Sequence, residues 1–167
     1  MKATCDPWRT MRQLRIRRAT TDDARLLFRW ANDPAVREAA FNSDPIEWDD
    51  HLSWLEGKLR SEESVILILE MDAVPVGQIR FDREASSDVW TIDYSVDREF
   101  RGMSLGKEIV SQGVEYLVRQ MGKVRFSAEV KKSNVPSIKV FEFNGFVLES
   151  VQSHSVRFAR TDGENSF

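Results

Sequence analysis

Apolar residues follow two different spacings along this 167-residue chain, and each spacing predicts one type of element. Residues 65–69 are continuously apolar, and residues 74–81 form a second apolar segment after a short turn at Asp72-Ala73, which together predict an antiparallel hairpin. Residues 103–121 repeat apolar side chains every three or four positions, which is typical of a long amphipathic helix. We predict further strands at 14–19, 89–96, 124–130, 146–151 and 155–159, further helices at 21–31, 47–60 and 137–143, and a loop or short helix at 35–45.

The order of these elements predicts the fold class. It suits an α/β (α+β) domain in which a mixed, mostly antiparallel sheet of about seven strands carries helices on both faces. The hairpin-joined strands are antiparallel, whereas the long helix after residue 96 permits a parallel crossover to the strand at 124–130. We therefore predict one domain at 14–160, a flexible N-terminal tail at 1–13 and a C-terminal tail at 161–167.

Composition argues against several kinds of partner and site. The net charge is −3 with both signs interspersed, so no basic surface for nucleic acid is predicted. One cysteine, Cys5, and two histidines cannot supply an internal disulfide framework or a Cys/His metal cluster, so we expect no metal. No apolar run is long enough to cross a membrane and the first residues lack a signal-peptide core, so a cytoplasmic protein is expected. Edge strands near the C-terminus would allow two chains to pair as a homodimer.

The segment between the strand at 89–96 and the long helix carries the clearest chemical signal. Its loop, Arg101-Gly102-Met103-Ser104-Leu105-Gly106, combines small residues with a cation and leads directly into a helix. Small residues expose backbone N–H groups and a helix N-terminus adds unpaired donors, so this loop predicts a pyrophosphate site. Two alternatives remain: a helix start without a ligand, and a dinucleotide-binding fold, which is disfavoured because the loop lies late and repeated βαβ units are missing.

A second segment, Asn134 to Phe146, adds weight to the pyrophosphate interpretation. Arg-Gly-x-Ser-x-Gly before a long helix, with Asn-x-x-Ser-x-x-x-Phe-Glu-x-x-Gly-Phe after the next strand, resembles the two cofactor motifs of GNAT acetyltransferases, over residues 14–160. The resemblance implies the GNAT fold, acetyl-CoA as cosubstrate, a pyrophosphate bound by the loop amides, and a pantetheine arm lying beside the strand at 89–96. The residues that it implies in cofactor binding are Ser95, Val96, Asp97, Arg101, Gly102, Met103, Ser104, Leu105, Gly106, Lys107, Asn134, Ser137 and Phe141.

The chain departs from the family pattern at two positions. Ser104 stands where the family usually has glycine; a serine there can still expose its N–H if its φ stays negative, and its hydroxyl is a candidate for a further phosphate contact. Phe141 stands where many members have a tyrosine that protonates the departing thiolate, and a phenyl ring cannot donate a proton. Tyr94 is a candidate replacement donor, with packing as its alternative role.

The expected reaction is attack of a neutral amine on a thioester, with a general base to remove the proton. Direct attack is favoured over a thiol acyl-enzyme because the one cysteine, Cys5, falls in the predicted tail. Candidate bases are Asp93, His51, Glu129 and His154. Asp93 has an alternative as a solvated or arginine-paired strand residue, and His51 as a capping or surface histidine. A backbone N–H near Val96 is a candidate for binding the developing oxyanion.

Residues 28–37 and 41–55 are the candidates for binding the acceptor. They are rich in Trp, Asn and Arg, which suit stacking on a ring and hydrogen bonding to hydroxyl or phosphate groups. They resemble the acetyltransferases of nucleotide-linked amino-sugar pathways, nearest to the branch acting on a UDP-linked 4-amino sugar on the way to pseudaminic acid, and also the ribosomal-protein N-acetyltransferase group. The resemblance implies a small-molecule acceptor, whose reacting amine is the amino group of a nucleotide-linked amino sugar. The substrate-binding candidates are Trp30, Asn32, Arg37, Phe41 and Arg80.

Other interpretations stay open. Trp30 and Trp54 lie on amphipathic helices, where a core position is an alternative to ligand stacking. The activity has two alternatives: acetylation of protein or peptide N-termini, and a regulatory module that binds coenzyme A without turnover.

Overall fold

The computed structural model describes residues 12–163. Predictions on residues 1–11 and 164–167, including Cys5 and most of both predicted tails, lie outside the described residues. The strands are β1 (Leu14–Arg18), β2 (Ser64–Met71), β3 (Val74–Asp82), β4 (Val89–Val96), β5 (Val124–Lys131), β6 (Val147–Val151) and β7 (Ser155–Asp162). The helices are α1 (Ala24–Ala31), α2 (Pro34–Ala39), α3 (Trp48–Arg60), α4 (Leu105–Met121) and α5 (Val135–Phe143).

One seven-stranded sheet has the order β1-β2-β3-β4-β5-β7-β6, which confirms the predicted mixed sheet with helices on its faces. Every neighbouring pair is antiparallel except β4 and β5, which are parallel because α4 carries the chain between them. The pairing of β4 with β5 is short, since only Val89–Thr91 and Arg125–Ser127 are in register. The sheet therefore opens between the remaining halves of these two strands.

The two faces of the sheet are covered by different helices. The alternation of side chains along β2 directs Leu67 and Leu69 into the core under α4, and Ile66 and Ile68 into the smaller core under α1 and α3. A strand that is buried on both faces needs apolar residues at every position, which accounts for the continuous apolar run in β2. We call the first face the α4 face and the second the α1–α3 face.

The segment predicted as a loop or short helix at 35–45 overlaps α2, so the short helix is the alternative that forms, and Asp33 caps it by accepting hydrogen bonds from its first amides. Two of the boundaries that differ from the sequence prediction have a clear physical cause. Helix α4 begins at Leu105 rather than at 103, because Ser104 adopts a left-handed conformation that cannot continue the helix. Strand β7 extends to Asp162, inside the predicted C-terminal tail, because it pairs with the first residues of β5. Among residues 12–163, no helix is long and apolar enough to cross a membrane.

Candidate active site

The opening between β4 and β5, here called the split, exposes backbone polar groups of both strands. The N–H of Asp97 bonds to the carbonyl of Val76, so Asp97, Ser95 and every second residue of β4 point their backbone groups toward β3. The intervening residues, Tyr94 and Val96, point theirs into the split. An extended ligand with amide groups could therefore pair with this edge as an added strand.

The same reasoning applies to the other side of the split. The N–H of Lys132 bonds to the carbonyl of His154 on the β7 side, so Glu129 and Lys131 direct their backbone groups into the split. The backbone groups of Ser95 and Asp97 point toward β3, so they do not support the prediction that these residues pair with pantetheine. The backbone groups of Val96 point into the split and suit such pairing.

A cavity of about 1120 Å³ opens from the split. This exceeds the usual volume of a site for one small ligand, about 300–1,000 Å³, and leaves room for a cofactor arm and an acceptor together. Its lining includes most of the predicted site residues: Trp30, Arg37, Phe41, His51, Arg80, Asp93, Ser95, Val96, Arg101, Gly102, Ser104, Leu105, Gly106, Glu129, Asn134, Ser137 and Phe141. Five predicted residues do not line it: Asn32, Asp97, Met103, Lys107 and the candidate base His154.

The loop at residues 101–106, here called the cofactor loop, has unusual backbone geometry. Gly102 has a φ of 78° and Ser104 a φ of 60°, so the condition of a negative φ at Ser104 is not met. Left-handed backbone is strained for a residue with a Cβ atom, and the family's glycine would adopt it freely. Gly106 fills a different need, because a Cβ there would lie 3.2 Å from Val140 and 3.3 Å from Tyr94. The first amides of α4 have no partner within the helix and remain available to an anion.

Asp97 belongs to the interior rather than to the cavity. Its carboxylate accepts hydrogen bonds from Trp30 Nε1 at 2.6 Å and from the Glu99 N–H at 2.9 Å, and it is 6% exposed. Arg29 forms an ion pair with it at 3.2 Å. Although burial alone raises the pKa of Asp97, these donors together hold it below its usual value. Met103 packs against the core, and Lys107 Nζ lies 4.2 Å from the ring centre of Phe143.

A hydroxyl pair lies on the α4 face of the split. Ser137 Oγ donates a 2.8 Å hydrogen bond to Tyr94 Oη, and both residues line the cavity. Asn134 also lines the cavity, but its side-chain oxygen caps α5, because it accepts a hydrogen bond from the Ser137 N–H. Burial raises the pKa of Tyr94 to about 12, so the phenol keeps its proton at neutral pH. Phe141 is 2% exposed and contacts the Tyr94 ring edge-on at 5.7 Å.

Two carboxylates of the sheet face the cavity from the α1–α3 side, and Asp50 of α3 is a third carboxylate in its lining. Asp93 on β4 has a side chain that is 57% exposed, and it interacts with Gln78 Nε2 at 3.3 Å and with Arg80 at 3.8 Å. Glu129 on β5 has a side chain that is 37% exposed and is held by Ser155 Oγ at 2.7 Å. Asp93 is thus the more weakly held of the two.

His51 is buried in an aromatic stack instead of lying at the surface. Its ring packs between Trp48 and Trp54 of α3, with ring centres 5.9 and 5.8 Å away. Arg25 lies over the outer face of this stack at Trp48, and Arg80 over Trp54 at 5.1 Å. Nε2 donates to a backbone carbonyl in α1 at 2.9 Å, and burial lowers the pKa of His51, so the ring is neutral with its proton on Nε2. His154, the other histidine, is exposed.

The predicted substrate-binding residues divide into two groups. Trp30 is 4% exposed and bonded to Asp97, and Asn32 and Arg37 form hydrogen bonds with the backbone of the α1–α3 connections. These three stabilise the local structure. Phe41 is 62% exposed at the cavity, and Arg80 lies on its floor in an ion pair with Asp82 at 2.6 Å.

Some cavity residues were not predicted. Gln78, Lys131 and Asp50 line the cavity. Trp54, for which a core position was the alternative to ligand stacking, lines it as well. The alternation along β3 could have indicated Gln78, since it lies on the same face as Arg80. Lys131 gave no signal, because a lysine that ends a strand is ordinarily solvated.

Relatives with curated descriptions are distant. An uncharacterized protein of Methanocaldococcus jannaschii is 27% identical over 134 residues, which is 78% of this chain and 27% of that protein. The chain thus spans about a quarter of the length of that relative. An SPbeta prophage-derived uncharacterized N-acetyltransferase of Bacillus subtilis is 23% identical over 79% of this chain and 75% of its own length.

Several solved structures share the fold. A ribosomal L7/L12 alpha-N-protein acetyltransferase, RimL, in complex with coenzyme A has a TM-score of 0.77 at 17% identity, covering 88% of this chain and 93% of its own. A putative acetyltransferase of Salmonella typhimurium with acetyl-CoA has a TM-score of 0.75 at 20% identity, covering 92% and 96%. A spermidine N-acetyltransferase of Vibrio cholerae with CoA and spermine has a TM-score of 0.77 at 15% identity, covering 89% and 95%.

At these identities the solved structures show the fold alone, whereas the sequence itself shows the family. The acetyltransferase (GNAT) domain family matches residues 13–147, which include α1 to α5, the split and the cofactor loop. Both cofactor motifs fall inside the match. On this evidence the chain belongs to the GNAT family of acetyltransferases.

Proposed function

We propose that this chain transfers an acetyl group from acetyl-CoA directly to the primary amine of a small acceptor. The observation that carries the proposal is the split, which joins the cofactor loop to a cavity that contains the two exposed carboxylates of the sheet. Acetyl-CoA supplies an activated thioester. The residues of the chain would bind it, polarise it and accept the proton that the amine releases.

The cofactor loop and the split would bind the two ends of acetyl-CoA. The amides at the start of α4 and the left-handed turn at Gly102 and Ser104 suit a pyrophosphate, because they direct N–H groups to one point. The backbone groups of Tyr94 and Val96 suit the amides of the pantetheine arm. The N–H of Val96 is then the donor nearest to where negative charge develops on the thioester oxygen.

The hydroxyl pair of Ser137 and Tyr94 would assist departure of the thiolate, a role that Phe141 cannot fill because its ring has no proton to donate. Tyr94, with a pKa of about 12, is a weaker acid than a thiol of pKa about 8.5, so full proton transfer from it would cost about 5 kcal/mol. The pair therefore acts by donating a hydrogen bond to the departing sulfur. Replacing Ser137 with Ala removes one member without changing the burial of Tyr94 and tests this role.

Asp93 is proposed as the base. It is exposed to the cavity and weakly held, whereas Glu129 is oriented by Ser155 and would bind the incoming ammonium group. His51 does not suit the role, because its pKa is lowered by burial and its Nε2 already donates to a carbonyl. Proton removal by Asp93, directly or through one water molecule, would leave the amine neutral for attack.

For the acceptor we propose an amino sugar carried on a nucleoside diphosphate. Phe41 offers an exposed aromatic face at the cavity, and Arg80 and Lys131 line the same region and can approach phosphate oxygens. The two carboxylates would select a basic amine at the other end. Acceptors with several cationic groups, and peptide N-termini, are the alternatives that the experiment must separate.

The proposal is tested by thiol release from acetyl-CoA with mass spectrometry of the products. The panel contains UDP- and dTDP-linked amino sugars, spermidine and N-terminal peptides, each with the wild-type chain and the Asp93→Asn variant. Acetylation of an amino-sugar nucleotide supports the full proposal, and acetylation of a different amine keeps the reaction and rejects the acceptor. Binding of acetyl-CoA without turnover on any amine rejects the enzymatic proposal in favour of a coenzyme A-binding module.

A homodimer is a further part of the proposal. Strand β6 pairs with β7 on one side, and it carries Val147, Leu148 and Val151 at the surface. Apolar side chains on an edge strand favour pairing with a second copy of the chain. Light scattering should give twice the chain mass, and Leu148→Glu should reduce it to the monomer; a monomeric wild-type chain rejects this part.

A further inference from the structure

Helix α2 has little apolar packing, although it forms one wall of the cavity. None of its residues, 34–39, is buried, yet Ala35, Val36 and Arg37 line the cavity. A six-residue helix without buried side chains has almost no stability of its own. Its position is therefore set by polar contacts. Arg37 holds it locally, by donating to the carbonyls of Ala31, Asn42 and Asp44, and contacts at its two ends hold it to the strands of the split.

The N-terminal contact joins α2 to the cofactor loop. Asp33 accepts hydrogen bonds from the Ala35 and Val36 N–H groups at 3.0 and 3.3 Å and thereby caps the helix. The same carboxylate accepts a 2.8 Å hydrogen bond from Arg101 Nη2, and the Asp33 side chain is 11% exposed. Arg101 Nε in turn donates to the carbonyl of Val96 at 3.3 Å, at the tip of β4. One side chain thus connects α2, the cofactor loop and β4.

The C-terminal contact joins α2 to the opposite side of the split. Lys131, the last residue of β5, donates from Nζ to the carbonyl of Glu38 in the last turn of α2, at 2.8 Å. A lysine at this end also interacts favourably with the helix dipole. Helix α2 is therefore attached to both strands that border the split, and it crosses the mouth between them.

We propose that Asp33 and Lys131 are positioning residues that hold α2 across the mouth of the split, so that ordering of the cofactor loop orders the acceptor wall. This inference rests on the proposed function, since it takes coenzyme A as the ligand of the loop. Breaking the contact between Asp33 and Arg101 is costly while Asp33 stays partly buried, because the carboxylate would keep two neutral N–H donors but lose its opposite charge. Arg101 therefore stays with Asp33 when the loop closes on the pyrophosphate, and α2 is fixed together with the loop.

Asp33→Asn is the sharpest substitution for this proposal. Asparagine caps helices as well as aspartate does, so the helix start is kept while the charged contact with Arg101 is lost. Asp33→Ala removes both functions and reports the effect of losing the cap. Asp88→Asn is a matched control, because Asp88 forms an exposed ion pair with Arg125, which is not part of the cavity lining.

The measurement is amide hydrogen exchange of peptides covering 34–44 and 98–110, with and without coenzyme A. In the wild-type chain and in Asp88→Asn we expect coenzyme A to slow exchange in both peptides, by about fivefold or more in α2, which is the lower range of coupling between sites. In Asp33→Asn the loop peptide should still be protected, and protection of α2 should fall below about twofold. Lys131→Met should speed exchange at the end of α2.

The outcomes separate this inference from the proposed function. Equal protection of α2 in wild-type and Asp33→Asn overturns the positioning role, and so does protection of the loop alone in the wild-type chain. A wild-type chain that does not bind coenzyme A overturns the proposed function and this inference with it. Protection of α2 that depends on Asp33, while the loop stays protected, supports the proposal.

Discussion

The two sides of the split are built from different parts of the chain. The proposed cofactor side consists of main-chain groups: the left-handed turn at Gly102 and Ser104, the first amides of α4, and the open edge of β4. The proposed acceptor side consists of side chains, chiefly Asp93, Glu129 and Phe41. A site made of backbone tolerates many side-chain changes, whereas a site made of side chains depends on a few. Substitutions on the two sides should therefore differ sharply in effect.

The largest effect is expected on the acceptor side. Asp93→Asn should lower kcat/KM by about 10²–10³-fold, because removal of a general base commonly has effects of this size. Glu129→Gln should mainly raise KM for the acceptor, since it removes a charge that attracts the ammonium group. Steady-state kinetics with the acceptor found in the panel make the comparison. An Asp93→Asn variant within about threefold of wild-type activity would remove Asp93 from the mechanism.

Asp97 was predicted to bind the cofactor, but its carboxylate instead accepts a hydrogen bond from Trp30 of α1, and substitutions can test this interior role. Asp97→Ala should lower the free energy of unfolding by about 2–3 kcal/mol, because Trp30 Nε1 would be buried without an acceptor. Asp97→Asn keeps an oxygen for this hydrogen bond and should cost about half as much. Urea unfolding of the three proteins provides the measurement. A loss below about 0.5 kcal/mol for Asp97→Ala would contradict the interior role.

The neutral His51 should make stability depend on pH. Since burial lowers the pKa of His51 in the folded chain, the unfolded chain binds the proton more readily below the ordinary pKa of about 6.5. Protonation then favours unfolding, so the free energy of unfolding should fall as the pH is lowered from 7 to 5.5. His51→Gln should flatten this dependence, measured by urea unfolding at each pH. An unchanged slope would assign the effect to other groups, since His154 is exposed.

The smallest effect is expected at the cofactor loop itself. Ser104→Gly relieves the left-handed backbone but adds freedom to the unfolded chain, so the free energy of unfolding should change by less than about 1 kcal/mol. The affinity for coenzyme A, measured by isothermal titration calorimetry, should stay within about threefold, because the amides that bind the pyrophosphate remain. A tenfold loss would show that the Ser104 hydroxyl binds phosphate.

The same contrast explains which parts of the site could be predicted. Gly102 and Gly106 indicated the cofactor side from sequence, because a site made of backbone requires residues with small side chains or special backbone angles. The sheet was predictable for a similar reason, since residues 65–69 of β2 had to be continuously apolar for the strand to be buried on both faces. The left-handed angle at Ser104 was missed because serine seldom adopts it.

The residues that bind the acceptor could not be predicted from sequence in the same way. Trp30, Asn32 and Arg37 have the chemistry of ligand-binding residues, but their polar atoms are used by Asp97 and by backbone groups close in space. Sequence gives the type of a side chain and not the partners that occupy it. His51 shows the same limit, because its burial between two tryptophans depends on the packing of α3 against α1.

The aromatic stack on α3 also gives the molecule an internal optical probe. Trp54 lies at its cavity end, with His51 on one side and Arg80 over the ring, whereas Trp30 and Trp90 are buried. A phosphate group that draws Arg80 away from the indole would change the emission of Trp54 without any attached label. Quenching that disappears in a Trp54→Phe chain would then report occupancy of the acceptor side in real time, separately from the cofactor side.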